Sequence, residues 1–159
     1  MAERTGIRVQ RIQDVQRSLK KLGKTAKESR TAINKALRPA ANMLARGIQS
    51  AYIKEFNTFS GMRSGRTPTW KTIGVIAARR SRQPGLFVGP IVSKTTPIRV
   101  KGKDSRNLAA MQIAGNARQE PRPDVFQATA IKMESQIYTQ AEKDLDRLVE
   151  KMIKQAGFK

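Results

Sequence analysis

Residues 121–157 read PRPDVFQATAIKMESQIYTQAEKDLDRLVEKMIKQAG. Pro121 and Pro123 hold the chain extended and keep a helix from starting before them. Pro123 suits a first helical position, and Asp124 complements the positive end of the helix dipole. From there Phe126, Ala130, Met133, Ile137, Ala141, Leu145, Leu148 and Met152 recur at steps of 4, 3, 4, 4, 4, 3 and 4. That is the apolar stripe of one amphipathic helix over 124–156, with Gly157 marking its end. About 33 residues at a rise of 1.5 Å make a rod of roughly 50 Å. A compact domain of this chain length is about 40 Å across. The spacing therefore predicts a helix longer than its own globule. Either it kinks, or its end projects and packs on another subunit; a projecting apolar stripe, carried by Phe126, Met133, Ile137, Leu145, Leu148 and Met152, is an association surface, and a homo-oligomer is expected.

Toward the N-terminus the pattern is again helical. Ile12, Val15, Leu19 and Leu22 share one face of a short amphipathic helix over 12–22, and Gly23 suits its stop. Ile33, Leu37, Ala41, Leu44, Ile48 and Tyr52 mark a longer helix over 29–54. Pro39 removes a backbone donor inside it, so a kink there or a break after Arg38 is expected. Residues 57–69, NTFSGMRSGRTPT, read as loop. TWKTIGVIAA (69–78) and GLFVGPIV (85–92) read as two strands of a hairpin whose tip carries Arg79, Arg80 and Arg82. Residues 96–106 are a candidate third strand and basic turn, and 107–117 fit either a last strand or a short helix. Trp70, Phe87 and Phe126 stand alone among apolar neighbours and are assigned to the core.

These elements add up to an α+β fold: a kinked N-terminal helix, a small antiparallel sheet with a basic hairpin, and a long C-terminal amphipathic helix. Residues 1–27 form a basic arm and short helix. Residues 28–159 form a single α+β domain, with its strands within 69–117.

Charge is the strongest compositional signal. The chain carries 32 Lys and Arg against 12 Asp and Glu, a formal +20. Residues 1–106 hold 24 of the cations and 5 of the acids, whereas 107–159 are nearly balanced. So lopsided a field attracts polyanions or an acidic partner.

Catalytic chemistry finds little material. Cysteine and histidine are absent, which removes thiolates, the commonest general base and the commonest metal ligand. Ser18 and Lys21 match Ser-x-x-Lys, but the companion motifs of that chemistry are missing. No phosphate loop, dinucleotide fingerprint or paired-carboxylate spacing occurs. No enzyme, cofactor or metal site is expected. No apolar run reaches membrane-span length, and MAERTGIRVQ lacks the core of a signal peptide, so the protein is expected to be made in the cytoplasm. Scattered cations without a recognition helix suit sequence-blind phosphate contact instead of base readout.

The order of elements resembles the head–tail joining, or tail-completion, proteins of tailed bacteriophages over roughly residues 28–155. Ser64-Gly65 and Thr72-Ile73 stand in for that family's Thr-Gly-x-Leu and Ser-Ile stretch, with about two extra residues between. Val88-Gly89 matches its Val-Gly strand. Ile113-Ala114-Gly115-Asn116 takes the place of its acidic-aromatic-Gly-Thr turn and lacks the acid. Pro121-Arg122-Pro123 followed by Phe126 matches its Pro-x-Arg-Pro-Phe segment, displaced by two residues. The resemblance implies a homo-oligomeric ring, a hexamer in the family, in the virion neck. Its partners would be a portal or adaptor, a tail-tube or tail-terminator protein, and duplex DNA threading the channel, with no membrane. The basic residues Arg79, Arg80, Arg82, Lys101, Lys103 and Arg106 are then expected to face the DNA or an acidic neighbouring ring. The competing readings are a nonspecific, nucleoid-type DNA-binding protein and a ribosome-associated basic protein.

Overall fold

A computed structural model describes Val9 and residues 11–56, 69–77, 83–90 and 124–157. In order, the elements are helix α1 (Ile12–Lys21), helix α2 (Ala26–Phe56), a 3₁₀ turn (Thr69–Thr72), strand β1 (Ile73–Ala77), strand β2 (Leu86–Pro90) and helix α3 (Val125–Gln155). β1 and β2 pair antiparallel in a two-stranded sheet. The fold is α+β, with a long C-terminal helix.

Local chemistry sets where each helix begins and ends. α1 closes in a Schellman motif: the Gly23 amide donates to the Lys20 carbonyl and the Lys24 amide to the Leu19 carbonyl, both at 3.0 Å. Gly23 takes φ of 79°, a conformation that costs any residue with a Cβ. α2 opens on a capping box. The Thr25 amide and hydroxyl donate to Glu28 Oε2 at 2.8 and 2.9 Å, and the Glu28 amide returns a bond to Thr25 Oγ1 at 3.2 Å. That box starts the helix three residues before the expected Ser29. α3 is capped by Asp124, whose Oδ1 accepts from the Phe126 and Gln127 amides at 3.0 and 3.1 Å. Asp124 is thus the N-cap itself, and Pro123 precedes it instead of occupying the first helical position.

Two further expectations are corrected. Residues 69–72 form a 3₁₀ turn, so the first strand begins at Ile73. Of the two outcomes expected at Pro39, a kink or a break after Arg38, the break does not occur: α2 runs through Pro39 as one element, with Ala40 and Ala41 buried just beyond it. The tightly packed turns on either side outweigh the single hydrogen bond that the proline deletes. The candidate third strand at 96–106 and the segment 107–117 lie outside the described residues.

The chain divides into two compact units, each drawing on both long helices. The first takes α1, α2 through Met43, residues 77–87 and α3 from Glu134. Its buried apolar side chains among the described residues are Val15 and Leu19 from α1, Ile33, Leu37, Ala40 and Ala41 from α2, and Ile137, Ala141 and Leu145 from α3. Full burial of a Leu or Ile side chain contributes about 1.5–3 kcal/mol, so Leu19, Ile33 and Leu145 are the main anchors. The Gly85 amide donates to Asn34 Oδ1 at 2.8 Å and ties the approach to β2 onto α2.

The second unit takes α2 from Leu44, the 3₁₀ turn, β1 through Ile76, β2 from Val88 and α3 through Met133. Ala45, Ile48, Tyr52, Ile73, Val75 and Val125 are buried there. Gln49 Nε2 donates to the Ile73 carbonyl at 2.8 Å, which docks the first residue of β1 on α2. Tyr52 meets Phe126 edge to face, with centroids 6.0 Å apart. Gly47 lets α3 come close: a Cβ there would overlap Met133 Sδ and touch Thr129 Cγ2 at 3.4 Å.

Candidate functional site

The six cations singled out for polyanion contact, Arg79, Arg80, Arg82, Lys101, Lys103 and Arg106, lie outside the described residues. The basic surface that the structure does describe is elsewhere, at the junction of α1 and α2. Val15 and Leu19 turn one face of α1 inward. The helical period therefore puts Arg17, Lys20 and Lys21 on the opposite face, and all three are exposed. The Schellman turn then presents Lys24, and the second residue of α2 is Lys27, also exposed.

The acids of this region are already engaged. Asp14 pairs with Arg17 at 3.5 Å. Glu28 is held by the Thr25 amide and hydroxyl, and the Thr25 amide bond is the main cause that draws its pKa below the ordinary 4.5. Glu28 thus keeps its charge to lower pH, but its acceptor oxygen faces the cap. Lys20, Lys21, Lys24 and Lys27, four lysines within eight residues, stand on a backbone fixed at both ends by hydrogen-bonded caps. The sequence reading does not single out this cluster, because lysines opposite an apolar stripe are ordinary on the solvated side of a short helix. Their density across Gly23 was the signal available.

The side chains assigned to an oligomer interface fall into two groups. Ile137 and Leu145 are buried within the single chain. Their assignment to a contact between subunits is corrected, because packing within the chain already covers them. Phe126 and Met133 are half-buried and face Tyr52 and the Gly47 position respectively. Leu148 and Met152 are half-buried, and the adjacent Ile153 is 40% exposed. Of the three aromatics assigned to the core, Trp70 and Phe126 are half-buried, with Lys71 Nζ 5.4 Å from the Trp70 ring centroid. Phe87 is 45% exposed on β2, which corrects its assignment to the core.

Titratable groups show no concerted arrangement among the described residues. Asp144 is buried and accepts from Gln140 Nε2 on both carboxylate oxygens at 3.0 Å, with Arg147 Nη1 at 3.7 Å. That is a satisfied structural carboxylate one helical turn from both partners. The Tyr138 hydroxyl donates to Glu142, which raises its pKa above the ordinary 10.0. Ser18, of the Ser-x-x-Lys match, is half-buried on α1 and one turn from Asp14, which is engaged by Arg17. Among the described residues no helix is long and apolar enough to cross a membrane.

Compared with protein-family models, with curated proteins and with solved structures, the chain matches none.

Proposed function

We propose that this chain is a structural protein of the neck of a tailed bacteriophage. Its copies form a ring at the head–tail junction, join a portal or adaptor to the tail, and line or surround the DNA channel. The observation that carries the reading is the pairing of an α+β element order, two long helices flanking a small antiparallel sheet, with a charge of +20 concentrated in residues 1–106. A channel wall must attract DNA without stopping its passage. Scattered cations, which act through counterion release and not base contacts, suit that demand. With Ile137 and Leu145 already covered, Leu148 and Met152 of the stripe and the adjacent Ile153 are left for contact between copies.

The same burial favours a second reading. A chain that covers most of its own stripe has less need of a ring, and a nonspecific, nucleoid-type DNA-binding protein requires only the cations. Native mass measurement and negative-stain images, next to gel-shift titrations of duplex DNA at low and physiological salt, separate the two. Rings with feeble, salt-sensitive DNA binding support the neck. Monomers or dimers with tight binding would replace it by the nucleoid reading.

A further inference from the structure

We infer that the α1–α2 junction is a sequence-blind contact for duplex DNA, made by Lys20, Lys21, Lys24 and Lys27 with phosphate oxygens. The inference rests on the polyanion-binding half of the proposed function and not on the ring. Three observations converge on it. The four lysines are exposed, and the two acids nearest in sequence, Asp14 and Glu28, are engaged by Arg17 and by Thr25. Five cations, Arg17, Lys20, Lys21, Lys24 and Lys27, stand here against the two acids Asp14 and Glu28, so the local field stays positive. The backbone that carries the lysines is held by the Schellman bonds at Gly23 and Lys24 and by the capping box, so the charges are spaced in advance. Lys20 and Lys21 close α1, Lys24 follows three residues on across the turn, and the long lysine stems extend the reach of all four. Duplex DNA places one negative charge per roughly 1.7 Å of its axis, so several phosphates fall within reach of the cluster at once.

The chemistry of the surface chooses among polyanions. An anionic membrane would recruit an amphipathic helix through its apolar face. On α1 that face is spent: Val15 and Leu19 are 2% and 0% exposed. An acidic protein partner would be anchored by a large exposed apolar or aromatic side chain. The exposed large apolar residues among those described are Ile76, Phe87, Ile131 and Ile153, and none lies in α1 or its junction with α2. A phosphate backbone needs neither feature.

The test is a salt titration of duplex affinity for the full chain and for a variant with Lys20, Lys21, Lys24 and Lys27 all changed to Gln. Removing one lysine–phosphate pairing should lower the slope of log affinity against log salt by about 0.9, so the variant's slope should fall by roughly three to four units. Two unrelated duplex sequences should behave alike. Lys132→Gln with Lys143→Gln, exposed cations on α3, should leave the slope within one unit of the native value. If the quadruple variant melts at lower temperature, Lys24→Gln with Lys27→Gln, which leaves α1 intact, should still remove nearly two units. An unchanged slope in the lysine variants overturns the inference. So does an equal reduction in the α3 control, which would show a diffuse basic surface, or equal affinity for polyglutamate, which would show indifference to phosphate. Oligomer mass, read on the same samples, reports on the ring separately: a monomer with the expected slope change would sink the ring and leave this contact standing.

Discussion

The Arg11 guanidinium grips the Asp146 carboxylate at two points, Nη2 to Oδ1 at 2.7 Å and Nη1 to Oδ2 at 3.2 Å. These residues are 135 positions apart, and the pair clips the start of α1 to the last third of α3 inside the first unit. Bidentate geometry is the stronger form of such a pair. Both side chains are over 40% exposed, however, so a double-mutant cycle with Arg11→Ala and Asp146→Ala should give a coupling of about 0.2–1 kcal/mol. At 1 M salt, where the screening length is about 3 Å, the coupling should shrink toward zero. A coupling that survives high salt would show that the contact is not chiefly electrostatic.

The capping box has a pH signature. Glu28 is ionised to lower pH in the folded chain than the ordinary 4.5. A carboxylate depressed in this way adds stability that is fully present above its unfolded pKa and is lost as pH falls through the folded value. Thermal melts of the native chain and of Glu28→Ala should therefore differ most at neutral pH, and the difference should narrow as pH falls below the ordinary 4.5 and through the lowered folded value. A gap that does not narrow through the acid range would assign the effect to helix propensity alone.

Gly23 tests backbone strain without crowding. Its φ is 79°, and an added Cβ would meet nothing within 4 Å. Gly23→Ala should cost about 1–2 kcal/mol from the left-handed conformation alone. Gly23→Asn should cost less, since asparagine tolerates that region. Equal destabilisation by the two substitutions in denaturant titrations would contradict the Schellman assignment.

Gly47 and Met133 should be coupled. An alanine methyl at 47 gains about 1 kcal/mol of helix propensity but displaces the Met133 thioether. Met133 ends in a flexible chain, so Gly47→Ala alone should stay within about 1 kcal/mol of the native protein. Combined with Met133→Ala, the same change should become stabilising relative to Met133→Ala by itself. Additive free energies would mean that the two helices do not approach each other there.

Replacing Arg79, Arg80 and Arg82 by serine probes the proposed channel contact. Neck assembly or retention of packaged DNA should weaken, because three cations are removed from one short segment. Full retention together with normal assembly would rule that segment out as the contact.

Much of the helical architecture was legible before any coordinates. Ile33, Leu37, Ala41, Ile48 and Tyr52 are buried as their spacing required, and so are Ile137, Ala141 and Leu145 in α3. Burial of Val125 and Thr129 was not legible, because they sit just off the stripe; Thr129 is covered where α3 comes close to Gly47 of α2. The early start of α2 was written in Thr25 and Glu28 three residues apart, a pattern masked by the run of lysines around it. For the candidate site, the four lysines within 20–27 stand in the sequence, but the two caps that fix their backbone are seen as hydrogen bonds only in the structure.

Periodicity, caps and charge are properties of neighbours along the chain, and they suffice to set helix identity, the inward faces and the sign of the surface. Which acids are already engaged, which apolar faces are covered and which backbones come close depend on residues far apart in sequence. Arg11 meeting Asp146, Asn34 meeting Gly85 and Gly47 lying under Met133 are pairings of that kind. Local patterns carry no information about them, because contact distance is set by packing and not by sequence separation.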